Sequence, residues 1–257
     1  MLRPRITPCL LVHDGGLVKT VGFRDPKYVG DPINAVKIFN EKEADELIVL
    51  DIDATVNGAE PDYRGIEHMA LECRMPLCYG GGVRSANQAK RIIGLGVEKV
   101  SIGSAAVERP ELVAEIADAV GRQSVVVVID AKKKMLGRGW DVTTRNATRN
   151  AKLDALDFAE RVAELGAGEI VMNSVDLDGR MSGYDLDLAR RLRERVKIPM
   201  TVLGGAGNLQ HMEELFRTCG VVGAAAGSLF VFKGQYRAVL INYPDDARKA
   251  ELYDHLG

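Results

Sequence analysis

Asp130 ends the run Ser124-Val-Val-Val-Val-Ile-Asp130, whose central residues are all β-branched and apolar. Such a run is typical of a parallel strand that is buried on both faces, so this acid falls at the carboxyl end of the strand. Parallel α/β folds bind ligands and carry out chemistry at that edge. Asp130 is therefore a candidate proton-transfer group, and the alternative is that it only caps a turn.

Two glycine-rich segments have the composition of phosphate sites. Glycine turns and Gly-Ser pairs expose backbone N–H groups at helix N-termini and add a hydroxyl, which holds phosphate without a cation. The segments repeat at an offset of about 124 positions. The matched pairs are Gly80-Gly81 with Gly204-Gly205, Gly103-Ser104 with Gly227-Ser228, and Asp51-Ile52-Asp53 with Asp176-Leu177-Asp178. The repeat predicts two tandem half-barrels and a ligand with a phosphate at each end, unless the glycines only permit tight turns.

The repeat also predicts where a partner of Asp130 should lie. Aligning Ile129-Asp130 with the first strand places Leu10-Leu11 at the equivalent position. Two facing carboxylates would act as general acid and general base on one substrate, but one carboxylate cannot fill both roles at once. Position 11, where the second acid is expected, is a leucine. Asp130 is therefore the remaining half of a carboxylate pair.

The elements that position these residues alternate regularly. Short β-branched runs and longer amphipathic stretches follow each other eight times, the pattern of βα units around a parallel sheet. Strands are predicted near residues 6–12, 46–51, 76–80, 99–102, 124–130, 169–173, 199–203 and 223–226, and helices at 31–44, 85–95, 110–121, 153–165 and 186–195. With 257 residues and no linker-like segment, residues 1–257 are predicted to form a single (β/α)8 barrel domain (TIM barrel, α/β class) built from two half-barrels.

Composition excludes several classes of partner. The chain has 34 Lys and Arg against 36 Asp and Glu, a net charge of −2, which gives no bulk attraction to nucleic acid or to an anionic membrane. The four cysteines show no metal-ligand or disulfide spacing, so we expect buried thiols, no metal and no cofactor. The N-terminus lacks a signal-type apolar region and no apolar run could span a bilayer, so we expect a cytoplasmic protein.

Motifs spread along the whole chain are shared with one known family. They include Asp14-Gly15, Gly30-Asp-Pro32, Gly80-Gly-Gly82, Ile129-Asp-Ala-Lys132, Ser182-Gly-Tyr-Asp185 and Gly204-Gly-Ala-Gly207. Through them the chain resembles the cyclase subunit (HisF family) of imidazole glycerol phosphate synthase, a barrel that takes ammonia from a glutaminase partner.

The resemblance implies roles for particular residues. The family's two catalytic aspartates fall on positions 11 and 130, and only Asp130 is present. Gly103 and Gly227 differ from the family's usual residues. The family's phosphate contacts fall on Gly82, Gly103, Ser104, Gly179, Gly205, Gly227 and Ser228. Lys19, Asp51 and Asp178 are further residues expected at the mouth.

Four charges at the amino-terminal ends of the strands also match the family. They are Arg5, Glu46, Lys99 and Glu169. In the family such a ring closes the barrel bottom and is thought to gate ammonia arriving from a docked glutaminase. The alternative is a purely structural plug, because that face of a barrel usually serves stability.

The lost acid and an altered loop at residues 15–31 resemble one paralogous branch of the family. We interpret the loop itself as a variable surface loop rather than a remade site. In that branch, a glutaminase and the barrel are thought to supply ammonia to a separate amidotransferase, which forms acetamidino groups on amino sugars of bacterial surface polysaccharides such as O-antigen. The expected partners are a glutaminase at the amino-terminal face, a sugar amidotransferase, and a phosphorylated small molecule or anions at the mouth. A lyase-type cyclase of histidine biosynthesis and a pure scaffold are the alternatives.

Overall fold

The computed structural model describes residues 3–234 and 236–253 of the chain. Strands are numbered here in chain order. They are β1 (Arg5–His13), β2 (Gly16–Val21), β3 (Arg24–Gly30), β4 (Leu47–Asp51), β5 (Leu77–Gly80), β6 (Lys99–Ile102), β7 (Val125–Lys133), β8 (Trp140–Thr144), β9 (Arg149–Asp154), β10 (Glu169–Ser174), β11 (Met200–Leu203), β12 (Gly223–Ala226), β13 (Phe232–Lys233) and β14 (Ala238–Val239).

Helices alternate with these strands and are numbered in the same way. They are α1 (Pro32–Glu41), α2 (Ala54–Asn57), α3 (Tyr63–Glu72), α4 (Ala86–Gly94), α5 (Ser104–Glu108), α6 (Leu112–Val120), α7 (Ala155–Glu164), α8 (Leu186–Arg195), α9 (Leu209–Cys219), α10 (Ser228–Val231) and α11 (Asp246–Tyr253). The five predicted helices agree with observed ones to within about three residues at either end. None of the helices in the described ranges has the length and apolarity that a bilayer span requires.

Eight parallel strands close into a barrel. In chain order they are β1, β4, β5, β6, β7, β10, β11 and β12, and each pairs with the next. The ring closes where β12 pairs with β1, with Arg5 opposite Gly223. Closure leaves the barrel itself without a free sheet edge. The predicted (β/α)8 fold is confirmed, and each predicted barrel strand is present.

After each barrel strand the chain returns through an outer helix. Most of these helices begin at a polar side chain that accepts a first-turn N–H, as the side chains of Asp31, Asp62, Ser85, Asp154, Asp185 and Asn208 do. Such a cap stabilises a helix by about 1 kcal/mol. The caps fix where each outer helix starts, and therefore how long each loop at the barrel mouth is.

Two β-hairpins rise from the mouth, one in each half of the barrel. The first hairpin, residues 16–30, comprises β2 and β3 and pairs with the end of β1. The second hairpin, residues 131–154, comprises the end of β7 with β8 and β9. They follow the first and fifth barrel strands, which the sequence repeat makes equivalent. The interpretation of residues 15–31 as a surface loop was wrong, because β2 buries Leu17, Val18 and Lys19.

Alternation along the strands produces two apolar layers. Outward-facing residues such as Ile6 and Leu10 pack against the outer helices in the larger cluster. Inward-facing residues form a second cluster inside the barrel, made of Cys9, Ile48, Cys78, Val126, Val171, Leu203 and Ala225. Leu11, Leu50 and Val128 pack on this inner cluster from the mouth side.

Gly223 is expected to tolerate no side chain inside the barrel. An added Cβ would lie 2.0 Å from Thr201 Oγ1, and Thr201 itself donates a hydrogen bond to Glu169. We expect Gly223→Ala to lower the free energy of unfolding by about 1–3 kcal/mol, measured by urea denaturation.

Gly94→Ala is the matched control, because no atom lies within 4 Å of its Cβ position. Its stability should be unchanged or raised by up to about 1 kcal/mol. Equal losses in both variants would contradict the packing around Gly223.

Candidate functional site at the barrel mouth

One cavity opens at the carboxyl ends of the barrel strands, and it gathers nearly all of the residues singled out in the sequence. These are Leu11, Lys19, Asp51, Gly103, Ser104, Asp130, Asp178, Gly179, Gly205, Gly227 and Ser228. Gly82 is the exception. Its N–H points at Thr55 Oγ1, 3.4 Å away, and a Cβ there would lie 2.9 Å from the Ala59 carbonyl. Gly82 therefore packs behind the cavity wall instead of facing the ligand space.

Asp130 is one of three acids that line the cavity, with Asp51 and Asp178. Its Oδ1 accepts a hydrogen bond from Asn173 Nδ2 at 3.0 Å. Burial outweighs this bond and raises the pKa of Asp130 to about 7. The carboxyl group can therefore hold or release a proton near neutral pH, as a general acid or base must.

The position that should carry a second acid is apolar in its side chain and its surroundings. Leu11 lines the cavity together with Leu50, Val128 and Leu203, and it packs on the inner cluster. These four side chains form what we call the apolar collar at the cavity floor. The collar contains no group that can exchange a proton with a ligand, so Asp130 has no carboxylate partner in it.

The first hairpin covers the mouth and is latched to the opposite half of the barrel. Asp178 Oδ2 accepts hydrogen bonds from Thr20 Oγ1 at 2.8 Å and from the Phe23 N–H at 3.2 Å. The Gly22 N–H donates to the Asp178 carbonyl at 3.0 Å. Burial raises the pKa of Asp178, although these hydrogen bonds and Lys19 oppose the shift. Asp178 thus holds the hairpin, a role that its position in the sequence did not reveal.

Lys19 belongs to β2 of this hairpin, and its side chain is buried with the ammonium group enclosed. Nζ donates to the Cys9 carbonyl at 2.5 Å, and burial lowers its pKa. A Cβ at Gly227 would lie 2.5 Å from Nζ. Glycine at position 227 is therefore what makes room for the lysine at the start of α10.

The second hairpin covers the other half of the mouth in an equivalent way. Asn146 Nδ2 donates to the Ile52 carbonyl at 2.9 Å, and the Arg145 N–H donates to Ser104 Oγ at 3.2 Å. Arg145 and Asn146 both line the cavity. Both adopt positive φ angles, of 53° and 55°. Neither residue could be predicted from the sequence, because both stand in a polar turn far along the chain from any glycine motif.

A polar group outside the cavity sits on the rim beside Leu11. His13 Nδ1 and Asp53 Oδ1 are 2.7 Å apart, and the hydrogen bond to Asp53 raises the pKa of His13. Asp14 completes a trio whose ligand atoms lie within 4.8 Å of one another. Asp14 is exposed, and one imidazole nitrogen is already committed to Asp53. We assign no metal to this group.

The four charges at the amino-terminal end form a closed ring. Arg5 contacts Glu46 at 3.0 Å and Glu169 at 2.6 Å. Lys99 contacts the same two acids at 2.6 and 2.9 Å. Burial, and next the neighbouring Glu169, raise the pKa of Glu46. Burial acts in the same direction on Glu169, but Arg5, Lys99 and Thr201 outweigh it and lower that pKa.

A closed parallel barrel with a glycine-lined cavity at one end and a buried charge ring at the other defines a (β/α)8-barrel protein whose mouth has the form of a small-molecule site. Sequence comparison supplies the family. The model for a family described as "Histidine biosynthesis protein" matches residues 5–237. The chain belongs to this family, as a HisF-like subunit of the imidazole glycerol phosphate synthase type.

Individual relatives are similar over almost their whole length. A Vibrio vulnificus protein named "Putative imidazole glycerol phosphate synthase subunit hisF3" is 56% identical over 254 residues, covering 99% of this chain and 98% of the relative. A Leptospira borgpetersenii protein named as a putative HisF subunit is 54% identical over 253 residues, covering 98% of this chain and 100% of the relative. One from Pseudomonas aeruginosa, named as a putative hisF2 subunit, is 52% identical over 246 residues, covering 95% and 97%.

Asp130→Asn should make stability less sensitive to pH. Because burial raises the pKa of Asp130 to about 7, the folded state keeps a proton that the unfolded chain releases near pH 4. This carboxyl group therefore costs stability as pH rises from about 4 to about 7. Urea denaturation should show the variant gaining about 2–3 kcal/mol over the wild type at about pH 8 relative to about pH 5. Parallel pH curves for the two proteins would contradict a raised pKa.

Proposed function

We propose that this chain is the ammonia-conducting synthase subunit of a glutamine amidotransferase complex. A glutaminase docks at the amino-terminal face of the barrel, and ammonia crosses the charge ring and the barrel interior to the mouth. A separate amidotransferase consumes it to form an acetamidino group on an amino sugar of a bacterial surface polysaccharide such as O-antigen.

The observation that carries the proposal is the uncharged and largely apolar lining between the ring and the mouth, in which Thr7 and Ser101 are the neutral polar side chains. The inner cluster begins above Lys99 and Glu169, and the apolar collar extends it to the cavity floor. An uncharged lining favours neutral ammonia over ammonium, because a buried unpaired cation carries a large desolvation cost. Leu11 completes this lining at the position where an acid would have interrupted it.

The mouth supports ligand binding more readily than cyclase chemistry. Asp130 is a single carboxylate, and Leu11 removes the second proton-transfer group from the pair that the family chemistry employs. Serine hydroxyls and glycine backbone of both halves line the cavity, which suits a phosphorylated or otherwise anionic ligand. Asn173 also offers a buried Oδ1 that has no hydrogen-bond partner among the described residues. A ligand N–H or O–H could satisfy it.

The second candidate function is the cyclase of histidine biosynthesis. One observation favours it, namely that Asp130 has a pKa near 7 in a cavity that keeps glycine and serine from both halves. In that case Asp51 or Asp178 would have to replace the missing acid. Both are engaged, since Asp51 accepts the Asp53 and Ala54 N–H groups and Asp178 holds the first hairpin.

Sugar amidination should depend on the barrel only when glutamine is the nitrogen source. The test reconstitutes the chain with the glutaminase and the sugar amidotransferase encoded in the same genome, and it follows product by mass spectrometry. With glutamine, omitting the barrel should abolish product, because ammonia has no enclosed route. With excess ammonium chloride, product should form without the barrel. Equal glutamine-dependent rates with and without the barrel would refute the proposal.

Restoring the acid should move the chain toward the cyclase reaction. With ammonia and the histidine-pathway substrate, we expect negligible turnover by the wild type and a gain of about 10²–10⁴ in Leu11→Asp, the typical worth of a positioned acid or base. Leu11→Asn is the control that adds polarity without a proton-transfer group. Rapid turnover by the unmodified chain would favour the cyclase over our proposal.

A further inference from the structure

Exposed apolar side chains are distributed unevenly over the two ends of the barrel. Eleven large ones are exposed in the described part of the chain. Nine lie in segments that lead from the carboxyl end of a barrel strand to the next outer helix, namely Val21, Tyr28, Val56, Met135, Leu136, Leu153, Tyr236, Val239 and Leu240. Leu71 and Val221 are the exceptions. The mouth side is therefore the side that exposes apolar surface, which marks an interaction site.

The second hairpin combines this exposure with an unusual charge. Its residues 131–154 include seven Lys or Arg and only two Asp, in a chain whose net charge is −2. At its tip Met135 is 99% exposed and Leu136 is 91% exposed. Lys133 and Lys134 pair with acids of this chain, whereas Lys132, Arg138, Arg149 and Lys152 are exposed. An apolar tip among exposed cations complements an acidic surface that contains an apolar pocket.

The base of this hairpin is held by buried hydrogen bonds, so the tip projects from an anchored base. Trp140 is buried and its Nε1 donates to Asp185 Oδ2 at 3.0 Å. Thr143 Oγ1 donates to the Asp130 carbonyl at 3.0 Å, which ties the hairpin to the strand that carries the mouth acid. A preformed contact surface binds with less loss of conformational freedom than a flexible one.

We propose that the tip of the second hairpin is the docking element for the protein that accepts ammonia at the mouth, and that this protein meets it with an apolar pocket edged by carboxylates. The inference rests on the proposed function, because an acceptor must cover the mouth if ammonia is not to escape. A protein partner is favoured over a membrane because exposed apolar residues lie on both hairpins, on either side of the opening. A rigid acceptor surface can contact both while placing its own site above the cavity.

The test uses the full chain bound to its glutaminase and the sugar amidotransferase of the same genome as the probe. Binding is measured by surface plasmon resonance, and glutamine-dependent amidination is measured in parallel. The double variant Met135→Ser/Leu136→Ser should bind about tenfold or more weakly and lose transfer in proportion. Arg138→Glu should weaken binding and reduce its dependence on salt.

Matched controls place the same changes away from the mouth. Leu71→Ser alters an apolar residue that is 77% exposed, and Lys90→Glu reverses an exposed charge on α4. Both should leave amidotransferase binding unchanged. The hairpin-tip variants should bind the glutaminase normally, because it docks at the opposite face, and this readout also shows that they are folded.

The possible results distinguish a failure of the docking proposal from a failure of the proposed function. If the wild type transfers ammonia and the tip variants transfer it equally well, the docking proposal is overturned and the proposed function stands. If the wild type neither binds the amidotransferase nor supports amidination, both are overturned. Binding of the wild type, but not of the tip variants, to phosphatidylglycerol vesicles without any binding to the amidotransferase would make the tip a membrane contact and overturn the proposal.

Discussion

Two acids and two cations share the narrow end of the barrel, and each of them contacts both groups of opposite charge. A buried charge that loses its partner is costly, typically by about 3–5 kcal/mol, so no member of the ring can be changed alone. Arg5, Glu46 and Lys99 come from the first half of the barrel and Glu169 comes from the second. The ring therefore links the two half-barrels at this end.

The barrel interior changes in polarity between the ring and the mouth. Charge is concentrated at the bottom, the inner cluster above it is apolar, and charge returns only at the mouth with groups such as Asp130 and Lys19. The interior is thus charged at both ends and uncharged between them. Leu11 lies where the apolar interior meets the mouth, so the side chains at the end of the first strand continue the apolar lining to the cavity floor.

Much of this architecture could be read from the sequence because it rests on periodic burial. The alternation of β-branched runs with amphipathic stretches predicted all eight barrel strands, because each strand end is marked by an abrupt change of polarity. The repeated glycine turns pointed to many of the residues that line the cavity. The two hairpins could not be found in this way. β3 is largely exposed, and Lys19 is a charged residue inside a buried strand, so neither shows the apolar alternation of a strand. The location of Gly82 outside the cavity lining could not be predicted either, because a glycine needed for close backbone packing looks the same in sequence as one that faces a ligand.

The reciprocal attachment of the hairpins has a consequence for how such a barrel can change over time. The first hairpin is held by Asp178 of the second half, and the second hairpin is held by Ile52 and Ser104 of the first half. The hairpin of each half is therefore attached to the other half. A single half-barrel in isolation would expose its strand ends, and its hairpin would have no partner residues to bind. Neither half could therefore be deleted or exchanged without uncovering the strand ends of the other.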